Sequence, residues 1–504
     1  MNNFRKPGAP RKARRGAVGR APAWTRLGSA AVLASLFCLA APPAASAEDT
    51  PSAATTKPGS QPATKPDDSQ PNASETTGSD DLDFSPSGLL SAFHQERQKL
   101  KDLGITFKVH EESEVWANLT GGGKQGVSYD GLTIGKLDFD LEKLFGWSGA
   151  EFLVEAFDIH AHGPSRNFVG NLQLVSNIEA TPSVKLYDLW LDQSLLDNKL
   201  SVRFGQEGAN DEMMTSTYGG LFLNSSFGFP GMPAADLPSG GPNYPLATPF
   251  ARAWFKATDN VTLVGAVFNG DPAPPGTGDP QARDRNGTAF RLNDHTLGFA
   301  EVWYQPDQDL SSSLPTTYKL GGWYSSDNFA DQRFDATGGL LANPASTGMA
   351  QQHTGDWAFY GIVDQMVWQR SGTKDQGIGV FLQVMGGPSD RNLSNLFIEG
   401  GMNWRAPFTD SGDDILGLAV SYLGISPAAQ NFGRDLVTFG RASAPYASNE
   451  TVLEATYQTP VTDWLTLQPD AQYVLNPGAG IVGPFGNRPL PNALVIGLRA
   501  TFRL

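Results

Sequence analysis

Six histidines, His94, His110, His160, His162, His295 and His353, are the first side chains to test for chemistry, and their spacing supports little of it. None stands in a metalloprotease pattern such as H-E-x-x-H. His160 and His162 would share one side of a strand and could hold a metal ion there, but the Gly163-Pro164 that follows favours a solvated loop. Ser225-Ser226 has no placed base, and the glycines between Asn118 and Gln125 lack the Lys-Ser/Thr and helix of a phosphate loop. Carboxylates are so abundant that no pair can be singled out as a glycosidase dyad. The residue types therefore point away from an enzyme, and no catalytic group, metal or cofactor is expected. A different chemistry stands out. Acidic and amide residues recur in rows interleaved with apolar ones, so that Asp188, Trp190 and Asp192 oppose Tyr187, Leu189 and Leu191. Such a row is a wall of hydrogen-bond acceptors turned toward water.

The elements that carry these rows are strands. In the last eleven residues Leu494, Ile496, Leu498, Ala500, Phe502 and Leu504 alternate with Gly497, Arg499, Thr501 and Arg503. Leu465, Leu467, Ala471 and Tyr473 oppose Thr466, Gln468, Asp470 and Gln472, and Leu396, Ile398, Met402 and Trp404 oppose Asn395, Glu399 and Asn403. A soluble sheet also alternates. The acidic rows suit a water-filled lumen better than a protein core, and aromatics near strand ends, at Trp404, Tyr457, Trp464 and Tyr473, suit the interfacial girdle of a membrane barrel. The mature chain has no apolar window long enough for a spanning helix, and a membrane protein without one must be a closed barrel. The expected fold is all-β, a transmembrane antiparallel β-barrel of about 16 strands over residues 105–504.

Residues 1–47 read as a signal peptide: eight basic and no acidic residues before position 30, an uncharged run from Ala30 to Ala41, then Ala45-Ser46-Ala47. The single cysteine, Cys38, lies within it, which leaves the mature chain without disulfide or thiol chemistry. Removing eight cations leaves 29 Lys and Arg against 52 Asp and Glu. A chain so acidic is a poor partner for nucleic acid or anionic membrane surfaces. Residues 48–84 are expected to be a disordered linker, with five prolines and no Val, Ile, Leu or aromatic residue up to Asp81. The linker is either a spacer or a tether that reaches the cell wall. One short helix is expected over 85–104, capped by Ser85, with Pro86 in its first turn and Gly104 at its end.

Several blocks carry a resemblance: DGLTIGKLDFDLEKLFGW (130–147), FVGNLQLVSNIEA (168–180), LYDLWLDQ (186–193), the run from Arg203 to Arg252, and WLTLQPDAQYVLNPG (464–478). In this order they closely resemble the carbohydrate-selective porin family, OprB, from about Leu89 onward. The resemblance implies an outer-membrane barrel of a Gram-negative bacterium, embedded in outer-membrane lipid, through which sugars such as glucose diffuse into the periplasm. Two features depart from the pattern: the chain ends in Leu504 where such barrels often end in Phe, and the linker is longer than a porin requires. A sugar offers many hydroxyls around weakly apolar ring faces, so its constriction should combine carboxylate and amide acceptors, arginine donors and aromatic faces. The candidates for contact with monosaccharides or small oligosaccharides are Arg203, Asp188, Trp190, Asp192 and Glu155. Asp236, Asn243 and Tyr244 join them if the stretch from Phe229 to Pro249 folds into the barrel. For each, an ordinary wall residue or structural ion pair is the competing reading. A general or cation-preferring porin, and a secreted or outer-membrane glycan-acting hydrolase, are the alternatives.

Overall fold

A computed structural model of the protein describes residues 94–306, 314–373, 376–409, 412–481, 483–486 and 488–503. The signal segment, the linker and the first part of the expected N-terminal helix lie outside these residues. Within them, helix α1 (His94–Leu103) ends at Gly104, whose φ of 96° suits glycine.

Sixteen strands follow: β1 (Ile105–Thr120), β2 (Gly126–Asp140), β3 (Ala150–Ile159), β4 (Ser183–Leu195), β5 (Leu200–Glu207), β6 (Thr248–Lys256), β7 (Val261–Asn269) and β8 (Thr296–Tyr304) form the first half. The second half comprises β9 (Thr316–Asp335), β10 (Ala350–Gln369), β11 (Gly377–Gly386), β12 (Ser394–Arg405), β13 (Ile415–Ile425), β14 (Asn449–Thr462), β15 (Leu465–Leu475) and β16 (Ala493–Arg503). Each strand pairs antiparallel with its sequence neighbours, and β16 pairs with β1, so the sheet closes and leaves no edge. Connections alternate between short turns at one rim, as at 196–199 and 463–464, and long loops at the other, of which 160–182 and 208–247 are the most consequential. In an outer-membrane barrel the turn rim faces the periplasm.

The alternation read from sequence sets the two faces. On β16, Ile496 and Leu498 are 43% and 45% exposed on the outside, whereas Arg499 and Thr501 are buried inside. Glu399 and Asn403 of β12, and Thr466, Gln468, Asp470 and Gln472 of β15, likewise point inward. Outward aromatics gather toward the turn rim, where Tyr304 stacks on Tyr318, Trp464 on Phe502, and Phe408 lies between Trp404 and Tyr457. A second set, Tyr324, Trp357, Phe359 and Tyr473, lies toward the loop rim. The two bands mark the membrane interfaces.

Two expectations need correction, and the interior adds a feature of its own. Tyr187 does not share the outer face of Leu189 and Leu191. The pairing of β3 with β4 jumps from Val154–Leu189 to Ala156–Leu186, so a bulge sets Tyr187 and Asp188 together opposite Glu155, and Tyr187 turns inward to stack on Phe157. The interior is not lined by polar residues alone: Phe229, Met232 and Leu237 of the 208–247 loop pack against inward-facing Trp323, Met385 and Phe397. A further helix, α2 (Pro427–Thr438), begins where the Ser426 side chain accepts from Ala429 N at 3.2 Å, a start signal also legible in Ser426-Pro427.

Glycine sets one close approach on the inner wall. Trp116 of β1 packs against Gly497 of β16, its Nε1 donating to Glu114 at 2.7 Å, so a Cβ at position 497 would come within 2.3 Å of the indole ring. Gly497→Leu should therefore cost about 1–3 kcal/mol through overpacking, read as a lower thermal midpoint of the detergent-solubilised barrel. Gly135→Ala, whose added Cβ would meet nothing nearer than 4.0 Å, should leave that midpoint unchanged.

Candidate functional site

Two loops enter the lumen and are pinned to its wall. Along 208–247, Met214 N donates to Glu301 of β8 at 2.8 Å, and Lys319 of β9 donates to Thr215 O at 2.9 Å. Asp364 of β10 accepts from Ser216 Oγ at 2.6 Å and from Thr217 N at 3.1 Å. Asn403 of β12 donates to Tyr218 O, Gln468 of β15 donates to Leu221 O, and Glu454 of β14 accepts from Leu223 N and Asn224 N. The 160–182 loop is held in the same way, with Glu450 of β14 accepting from Leu172 N and Gln173 N, and Asp130 of β2 accepting from His162 N and Gly163 N. Glycines make room for these contacts: the Tyr218 ring covers Gly379, and a Cβ at Gly417 would come within 2.7 Å of Leu221. A lumen so crossed is narrowed by backbone that the wall holds fixed.

Beside this loop stands a cluster of two arginines and three carboxylates. Arg203 of β5 and Arg252 of β6 are direct cross-strand partners, a like-charge pair that needs compensation. Asp192 of β4 lies opposite Arg203 and receives its Nε at 2.9 Å, with Arg252 Nη1 at 3.4 Å. Glu207 lies 3.3 Å and Glu212 2.7 Å from Arg203 Nη1, and Glu212 is also hydrogen-bonded to Arg252. Ser201 Oγ accepts from Arg252 and donates to Asp192. The Arg203 guanidinium carbon lies over the Trp190 ring, 3.8 Å from its centroid, with the side chain 19% exposed. Burial alone would push the Glu212 carboxyl up, but Arg252 and Arg203 overcome it and draw it down to about 2.

The residues named from sequence thus fall into three groups. Arg203, Trp190 and Asp192 are in direct contact in this cluster. Asp188 and Glu155 face each other across the bulge, buried in the wall. Asn243 and Tyr244 line a cavity of about 290 Å³ between the two loops and the wall. Asp236 does not reach that cavity: its carboxylate accepts from Leu393 N at 2.7 Å and Ser394 N at 3.3 Å, tying the loop to the start of β12. Arg252, Glu207 and Glu212 were missed. Alternation in TPFARAWFK marks Arg252 as inward, but only strand register sets it against Arg203, and no local pattern brings Glu212 onto both. His160 Nε2 lies 3.1 Å from Glu111, and no cluster suited to a metal ion occurs among the described residues.

A closed barrel of sixteen antiparallel strands, apolar outside, banded by aromatics and narrowed by an inward loop, defines a porin. Residues 124–504 match the carbohydrate-selective porin, OprB family, and the chain belongs to that family. It is similar to Porin B of Pseudomonas aeruginosa, with 26% identity over 440 residues that span 82% of this chain and 91% of that protein. Its backbone is similar to the high-pH structure of Pseudomonas putida OprB, with a TM-score of 0.71 and 21% identity, covering 81% of this chain and 96% of that one. Fold and family point to a channel rather than an enzyme, to sugars as its solutes, and to the outer membrane of a Gram-negative bacterium.

Two tests follow from this geometry. Asp364→Ala strands donors of Ser216, Thr217 and Tyr218, at about 1–3 kcal/mol for each donor left unpaired; the loop should loosen, and single-channel conductance in a planar bilayer should rise. Glu212 has a depressed pKa, so its contribution to stability is present above the ordinary carboxylate range and is lost as pH falls through about 2. The gap in thermal midpoint between wild type and Glu212→Gln should then stay constant from about pH 5 to 8 and close in stronger acid.

Proposed function

We propose that the protein lets sugars such as glucose diffuse passively across the outer membrane into the periplasm, selecting them at the wall formed by Trp190, Asp192, Arg203 and Arg252. The observation that carries this reading is the guanidinium of Arg203, set over an indole and fixed by three carboxylates, on a side chain that is 19% exposed. That surface presents fixed donors and acceptors side by side, the pattern that sugar hydroxyls match. Because the donors are held before the solute arrives, little ordering is needed on binding. The contacts are few, so affinity stays in the millimolar class, about −4 kcal/mol, and release is fast enough for conduction.

The test is single-channel conductance in a planar bilayer titrated with glucose, maltose and a neutral control solute of similar size. Saturable block by the sugars and not by the control supports a sugar-binding pore, whereas open channels without block would indicate a general or cation-preferring porin. Arg203→Ala should weaken glucose block by about tenfold or more, as expected for loss of a charged donor. It should also raise cation selectivity, because Asp192, Glu207 and Glu212 lose a counter-charge. Unchanged block and selectivity would remove Arg203 from the sugar path.

A further inference from the structure

Asp211 and Glu212 are consecutive residues near the start of the 208–247 loop, yet they serve different places. Glu212 reaches the two arginines, whereas Asp211 lines the cavity of about 290 Å³ that Asn243 and Tyr244 also line. The cavity is bounded by Phe157, Tyr187 and Tyr244, whose rings stand 4.6 to 6.4 Å apart, centroid to centroid. Its volume is close to the lower end of the usual range for small-molecule sites, about 300–1,000 Å³, which suits one sugar ring and not a chain of them.

The electrostatics of this cavity are one-sided. Glu112, Glu179 and Asp211 line it, and no lysine or arginine does. Glu112 is answered by Arg499 at 3.2 Å, and Glu179 accepts from Ser165 N and Arg166 N at 3.1 Å each. Asp211 has Lys136 as an opposing charge, but its carboxylate is only half hydrogen-bonded. It is 8% exposed, its Oδ1 accepts from Asn210 Nδ2 at 3.1 Å, and its Oδ2 has no hydrogen-bond partner among the described residues. A buried acceptor left open in this way carries a desolvation penalty that a ligand can relieve. Burial, together with Glu207 and Glu155, holds the Asp211 carboxyl well above the usual carboxylate range, with Lys136 acting in the opposite sense. Burial and the charge of Asp130 push Glu179 up to about 7. Acidic groups in that condition gain from an incoming cation, and the surrounding aromatic rings favour one as well.

We propose that this cavity is a binding site for a monosaccharide bearing an ammonium group, an amino sugar, with Asp211 Oδ2 receiving the ammonium and the rings of Phe157, Tyr187 and Tyr244 bounding the pyranose. The site lies on the loop side of the arginine cluster, and the assignment rests on the reading of the protein as a sugar channel. A neutral hexose enters it more weakly, and an anionic sugar finds no lysine or arginine in the lining to receive its carboxylate.

Current-noise analysis of the open channel, at about pH 6.5 where a weakly basic amine is protonated, tests this with glucosamine, glucose and glucuronate. In the wild type, glucosamine should block at concentrations about tenfold lower than glucose, and glucuronate should not block. Asp211→Asn should bring glucosamine to within about twofold of glucose, with glucose itself unchanged. Tyr244→Leu should weaken both. Folding of each variant is checked by heat-modifiable migration, and should Asp211→Asn not fold, Glu179→Gln serves for the same comparison. Equal block by glucosamine and glucose in the wild type, or a preference that survives Asp211→Asn, overturns the site while leaving the sugar channel standing. Absence of block by every sugar overturns both.

Discussion

Irregular backbone can lie inside a barrel only if its peptide groups find partners there, because each buried N–H left unpaired costs about 1–3 kcal/mol. The 160–182 and 208–247 loops meet this condition through carboxylates on the inner wall. A carboxylate accepts at two oxygens and can take successive N–H groups, as Glu454 takes Leu223 and Asn224 and Glu450 takes Leu172 and Gln173. Amide side chains from nearby strands, Asn403 of β12 and Gln468 of β15, satisfy carbonyls of the 208–247 loop. Apolar side chains then fill what remains, with Phe222 and Phe227 meeting Phe381 over the bare wall at Gly417.

This arrangement changes what the acidity of the chain means. Read alone, rows of Asp and Glu suggest a lumen that attracts cations. In place, Glu301, Asp364, Glu450 and Glu454 are spent on loop backbone, and Glu112 and Glu114 on Arg499. The wall is acidic because the loops need acceptors. Around Arg203 and Arg252 the carboxylates serve another purpose, holding two guanidiniums that would otherwise repel each other across neighbouring strands. The outcome is a rigid patch of alternating donors and acceptors on an indole face, which suits weak and repeated contact with a neutral polyol better than capture of an ion.

The position of the loop also decides the reach of individual residues. The Pro- and Gly-rich stretch that follows Phe229 carries Met232 and Leu237 into the apolar interior and sends Asp236 to the backbone of Leu393 and Ser394. Asn243 and Tyr244 are left beside the cavity, with Tyr244 Oη donating to Ile178 O and so joining the two loops. One segment thus supplies a fastening, a packing surface and a cavity wall within fifteen or so residues, and its composition alone does not separate these roles.

Strand identity and inward parity were legible in the sequence because side chains alternate across a strand with period two, a property local to each segment, whereas the strand number followed only approximately from chain length. Leu498 and Arg499 needed no knowledge of their neighbours to be placed outside and inside, and Arg203, Trp190 and Asp192 could be named as inner-wall residues for the same reason. The bulge that turns Tyr187 inward, the register that sets Arg252 against Arg203, and the path that brings Glu212 onto both were decided only in the tertiary structure. Those features depend on how separate strands slide against one another and on where a loop's peptide groups find acceptors. Both are settled by contacts between residues far apart in the chain, such as Glu454 with Leu223, and leave no periodic trace along it.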